Sequence, residues 1–124
     1  MSNIKFRYLY RDGSNYKKWA EVVFFDADDL PIEAVTKRLW DAFLPDGLFI
    51  AHQIRVAEVF LAAEDQLNSD DHCFHEFAAV EVTSDAPNDA YGRSIREFVA
   101  EVAKEATRNW RPFNPQDRLL QWPR

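Results

Sequence analysis

Apolar and polar positions alternate strictly at the start of the chain. Ile4, Phe6, Tyr8 and Tyr10 fall on one side, and Lys5, Arg7, Leu9 and Arg11 on the other. A period of two predicts a strand with one buried face. Asp12-Gly13-Ser14-Asn15 has turn composition. Tyr16 to Phe25, rich in aromatic and β-branched residues, predicts a second strand and an antiparallel hairpin. The period then changes to that of a helix. Asp26 to Asp29 supplies helix-start chemistry, Pro31 suits a first helical position, and Ile32, Val35, Leu39 and Phe43, with Ala42, share one face. Pro45-Asp46-Gly47 ends this helix. A short apolar stretch follows at 48–51, and alternation at 55–62, with Val56, Phe60 and Ala62 on one side, predicts a third strand.

A polar loop at 64–71 leads into Asp70-Asp71-His72-Cys73-Phe74-His75-Glu76-Phe77, which continues as an apolar fourth strand to Val82. Phe74, Ala78, Val80 and Val82 are expected on one face, with Cys73, Phe77 and Ala79 on the other. A strand apolar on both faces is expected to be buried on both. Asp85 to Asp89 breaks it. From about Tyr91 to Arg108, Ile95, Phe98, Val99, Val102, Ala103, Ala106 and Trp110 keep helical spacing for five turns. The fold class that results is α+β: a mainly antiparallel four-stranded sheet in the order β-β-α-β-β-α, with both helices packed on one face. A single domain is expected over 1–110, followed by a proline-rich aromatic tail over 111–124. The second sheet face is expected to be covered by that tail, by the 48–51 segment or by another subunit, so a homodimer contact or tail docking is favoured.

Composition narrows the functions. At 124 residues with 47% hydrophobic content, the chain can bury one real core. Its three glycines fall in none of the phosphate-cradling patterns. A net charge of -6 opposes nucleic-acid phosphates. One cysteine cannot form an internal disulfide. There is no signal-peptide pattern at the N-terminus and no apolar run near the roughly 20 residues of a spanning helix. These features imply a cytoplasmic protein that does not enter a membrane.

The candidate chemistry gathers around Cys73. On a strand, residues three apart point to opposite faces, so the imidazoles of His72 and His75 are expected to diverge. Asp71, Cys73 and His75 then share a face, and with His52 they make a conceivable zinc site; the competing reading is a hydrogen-bonded histidine at a strand start. Cys73 beside a histidine could form a nucleophilic pair, although single cysteines next to apolar residues are commonly small core residues. Asp70, Asp71 and Glu76 could perform acid-base work, or simply form a solvated acidic loop. Arg7, Arg11, Lys17 and Lys18 concentrate positive charge at the hairpin and are candidates for binding an anion. Trp19 and Trp40 sit within regular elements and are expected in the core. In the tail, Phe113, Leu119, Leu120 and Trp122 are candidates for docking a partner protein.

The segments Phe6 to Asp12, Asn15-Tyr16-Lys17 and Asp71 to Phe77 resemble those of a group of small bacterial proteins without assigned function. The resemblance implies a bacterial cytosolic protein and transfers no catalytic residue. Two classes of function follow. The favoured one is a noncatalytic interaction module of inhibitor, immunity or regulatory type, acting through an acidic surface and the apolar tail. The alternative is a small metal-dependent hydrolase centred on His52, Asp71, Cys73 and His75.

Overall fold

A computed structural model describes residues 2–61 and 71–115. Its sheet has four antiparallel strands: β1 (Asn3–Arg11), β2 (Lys17–Phe24), β3 (Leu48–Phe49) and β4 (His75–Thr83), in the spatial order β2-β1-β4-β3. Helices α1 (Ile32–Ala42) and α2 (Ile95–Thr107) complete the α+β architecture. No helix among the described residues is long and apolar enough to cross a membrane.

The alternation of β1 makes it the centre of the fold. Ile4, Phe6, Tyr8 and Tyr10 are each at most 1% exposed. The Phe6 ring lies 5.0–6.4 Å, centroid to centroid, from those of Tyr8, Phe43, Phe49, Phe77 and Phe98. It thereby joins the sheet to both helices. Val35, Leu39 and Phe43 meet it from the α1 side, and Ile95, Phe98, Val99 and Val102 from α2. Both helices therefore cover the same face, as their apolar stripes require.

Helix starts are supported by side chains. The Asp26 carboxylate accepts the Leu30 N–H, and Pro31 occupies the cap one residue before the first helical position. Ser94 and Glu97 form a reciprocal capping box at α2: the Ser94 hydroxyl accepts the Glu97 N–H, and the Glu97 carboxylate accepts the Ser94 N–H. This places the start of α2 four residues beyond Tyr91.

The third strand differs from the expectation. Pairing is confined to Leu48 and Phe49, opposite Glu76 and His75. A 3-10 turn at Ala51–Ile54 follows, and Arg55 adopts a left-handed φ of 57°. Residues 55–60 belong to no strand, although their alternation is real: Val56 and Phe60 are buried. Side chains of the sheet stand in for a neighbouring strand. The Tyr8 hydroxyl donates to the Ala57 carbonyl at 2.7 Å, and the Val59 N–H donates to His75 Nε2 at 3.0 Å. Ala62 lies outside the described residues.

The fourth strand is not buried on both faces. Arg7 pairs with Ala79 but Tyr8 with Phe77, so Ala78 is an extra residue, a β-bulge. The bulge shifts the side-chain parity. His75 and Phe77 point toward the helices before it, and Val80 after it, while Ala78 and Val82 are exposed. An apolar run that looked two-faced is one buried face interrupted by a change of phase. The opposite sheet face carries ion pairs, Lys5 with Asp85 and Glu21, Arg7 with Glu81, and Arg11 with Glu76, with Leu9 and Val23 buried between them. Trp19 and Trp40 are 54% and 45% exposed, contrary to their expected place in the core. Trp19 lies under the Arg7 guanidinium, and Trp40 packs its ring edge on Phe77.

Candidate functional site

The histidine-rich segment reaches the sheet at the end of β1. Because β4 begins only at His75, His72 precedes the strand and strand alternation does not govern it. Both imidazoles approach one ring, that of Tyr10, at centroid distances of 5.2 and 5.4 Å. Their nitrogens nevertheless serve different backbone groups. His72 Nδ1 accepts the Phe74 N–H at 3.0 Å, so Nε2 carries the proton and donates to the Arg11 carbonyl at 2.6 Å. His75 Nε2 accepts the Val59 N–H, which leaves the proton on Nδ1. That atom is buried without a hydrogen-bond partner among the described residues.

The electrostatics follow from this packing. Burial lowers the His75 pKa to about 4, with the Glu58 charge and the Cys73 backbone opposing the shift and His72 adding to it. The Cys73 backbone is near enough to favour the cation without reaching hydrogen-bond geometry. Tyr10 donates to Asp71 Oδ1 at 2.6 Å and accepts the His72 N–H at 3.3 Å. Burial, and then the Asp71 carboxylate, push the Tyr10 phenol well above its usual range. Burial also raises Tyr8 to about 12. These groups stay in their neutral forms and hold loops in place.

The zinc set is not assembled. His75 faces Val59, Asp71 faces Tyr10, and Cys73 is buried in the core. His52 stands 3.6 Å from the Glu58 carboxylate, with its ring against Phe113. Among the described residues no three His, Cys, Asp or Glu side chains group closely enough to hold a metal ion. Asp70, Leu119, Leu120 and Trp122 lie outside the described residues. The beginning of the tail folds back on the domain: Gln53 exchanges hydrogen bonds with the Arg111 backbone, and Trp110 Nε1 donates to the Ala42 carbonyl.

The basic group at the hairpin divides in two. Arg11 makes a two-pronged contact with Glu76, and Arg7 pairs with Glu81. Lys17 and Lys18 are exposed and make no ion pair among the described residues.

Sequence reasoning missed two features. One is the buried Arg93 cluster, in which Asp89 and Glu101 bind one guanidinium. The i, i+4 spacing of Asp89 and Arg93 was a legible signal, whereas the Ile54 and Arg55 carbonyls that complete the cluster were not. The other is a groove of about 710 Å³ between α1 and α2. Ala42, Val99, Ala100, Ala103 and Ala106 line it, together with Arg38, Asp41, Arg96 and Thr107. Ala103 and Ala106 belong to the stripe expected against the sheet, but Ala103 is exposed. Small side chains on that flank of α2 leave open space where larger ones would have filled it.

Comparison with family models, with characterised proteins and with solved structures finds no match to this chain.

Proposed function

We propose that this chain is a noncatalytic cytosolic interaction module, of inhibitor, immunity or regulatory type, that meets a protein partner through the α1–α2 groove. One observation carries the reading: five of the groove's nine lining residues are alanines or valine, beside Arg38, Asp41, Arg96 and Thr107. Such a surface accepts the apolar face of an amphipathic partner. His72 and His75 spend three of their four ring nitrogens on backbone hydrogen bonds. The acidic balance of the chain adds electrostatic selection of partners.

Ala103→Arg tests the proposal, because it fills the groove from an exposed helical position at little cost in helix propensity. The wild-type chain should copurify with a defined partner. The variant, with an unchanged melting temperature, should not. Equal retention of the partner would remove the groove from the reading. Elemental analysis of protein purified without chelator addresses the hydrolase alternative: stoichiometric zinc or manganese, lost in His75→Ala, would favour it.

A further inference from the structure

Among the described residues β2 ends the sheet, and its outer edge is covered only in part. In an antiparallel pair, successive residues alternate between exchanging hydrogen bonds with the partner strand and turning N–H and C=O away from it. Two observations fix that phase in β2. At the closed end of the hairpin, the Asp12 N–H donates to the Tyr16 carbonyl at 3.0 Å. The β1–β2 register then runs without a shift from Arg11–Lys17 to Ile4–Phe24. Even-numbered residues of β2 therefore bond to β1, and Lys17, Trp19, Glu21 and Val23 turn their main-chain groups outward. Val23 agrees: its N–H donates to Asn88 Oδ1 at 2.7 Å, and its carbonyl accepts the Asn88 N–H at 2.9 Å. The Phe25 carbonyl accepts the Ile95 N–H. The internal cover stops there. Lys17, Trp19 and Glu21 have no ladder partner on this edge among the described residues.

Side chains along this open stretch are distinctive. Lys17 and Lys18 are exposed and make no ion pair among the described residues, in a chain of net charge -6. Tyr16 and Trp19 are 70% and 54% exposed, and the Arg7 guanidinium lies 5.6 Å from the Trp19 ring centroid, bracing it. On the helix-side face, Ala20 and Val22 are half-buried at the margin of the core.

We propose that the Lys17–Glu21 edge of β2 seats an extended, acidic segment of a partner protein, which adds to the sheet as an outer strand. Main-chain bonds to Lys17, Trp19 and Glu21 supply the pairing. Carboxylates of the segment face Lys17 on the outer surface beside Trp19, and its apolar residues extend the core over Ala20 and Val22. Lysines on an edge guard it against pairing with its own kind, because a second copy would bring Lys17 and Lys18 against Lys17 and Lys18. The same charges attract an acidic strand. The inference is independent of the α1–α2 groove, whose lining includes no residue of β2.

A blocked heptapeptide alternating Glu and Val is the probe, and one alternating Lys and Val the control. Amide NMR should show shifts and slowed hydrogen exchange at Lys17, Trp19 and Glu21 with the acidic peptide only, weakening as salt is added. Glu21→Pro removes an outward N–H without touching the β1 ladder, so it should abolish binding in a chain that circular dichroism shows folded. Lys17→Glu with Lys18→Glu keeps the backbone intact and should weaken binding several-fold. Equal binding of the basic peptide, shifts confined to Ala100 and Ala103, or undiminished binding by Glu21→Pro would each overturn the proposal. So would self-association of the free chain that Glu21→Pro removes, since that would make a second copy the occupant.

Discussion

Arg93 and His75 are both buried, at 4% and 0% exposure, and the fold treats them in opposite ways. Arg93 keeps its charge. Its Nε and Nη2 bind the two oxygens of Asp89, Nη1 binds Glu101, and the carbonyls of Ile54 and Arg55 take the remaining donors. The rings of Phe24, Tyr91 and Phe98 surround the guanidinium at 5.2–5.5 Å. His75 gives up its charge. It lies among Tyr8, Tyr10, Phe49 and Phe60, with one nitrogen engaged and the other without a hydrogen bond among the described residues. A cation survives burial when every donor has an acceptor and a counter-charge lies in contact; otherwise the proton leaves. Each residue secures the 51–60 segment to the body of the fold. Arg93 holds the carbonyls of Ile54 and Arg55, and His75 holds the amide of Val59.

The largest effect should come from breaking the charged cluster. Arg93→Ala leaves the buried Asp89 carboxylate without its ion-pair partner, leaves Glu101 to Arg55 alone, and orphans two carbonyls, so it should cost about 3–5 kcal/mol in urea unfolding. A loss under about 1 kcal/mol would mean that the cluster relaxes into solvent and that the contrast with His75 is superficial.

Acid should separate the two clusters. His75 has a folded pKa of about 4, below its ordinary value, so between about pH 4 and 6.5 the unfolded chain binds a proton that the folded chain does not. Its contribution is fully present above pH 6.5, is lost as pH falls through this window, and amounts to about 3 kcal/mol in all. Asp89 acts lower. Burial raises its pKa, but the Arg93 hydrogen bonds and charge outweigh burial and hold it below the usual carboxylate value. Its contribution is present above that usual value and is lost as pH falls through the lowered one. His75→Phe should therefore flatten the unfolding profile between pH 4 and 6.5 and leave the lower acid limb unchanged. A profile identical to wild type would show that His75 is not the titrating group.

Smaller effects refine the contrast. Tyr10→Phe removes the donor to Asp71 and the acceptor for the His72 N–H, at about 1–2 kcal/mol by chemical denaturation. Arg7→Ala breaks an exposed pair with Glu81 and should change stability by less than about 0.5 kcal/mol. A larger change would give the open sheet face a structural weight its exposure does not suggest.

Periodicity carried most of the architecture. The alternation of Ile4 to Tyr10 and the stripe from Ile95 to Val102 report directly which side chains must leave water, and that is a local property of the chain. Class, antiparallel pairing and the shared helix face follow from it. Three outcomes depended on distant partners. Ala78 is a bulge only because Arg7 and Tyr8 set the register across a neighbouring strand. The 55–60 segment alternates like a strand, yet takes its hydrogen bonds from the side chains of Tyr8 and His75. His72 and His75 meet at Tyr10, far away in the chain, and no local spacing encodes that. Side-chain hydrogen bonds are short and directional, so where they form depends on how the strands are brought together, whereas hydrophobic burial needs only the right face. The sequence alone determined which surfaces turn inward; the tertiary structure decided which polar atoms find one another there.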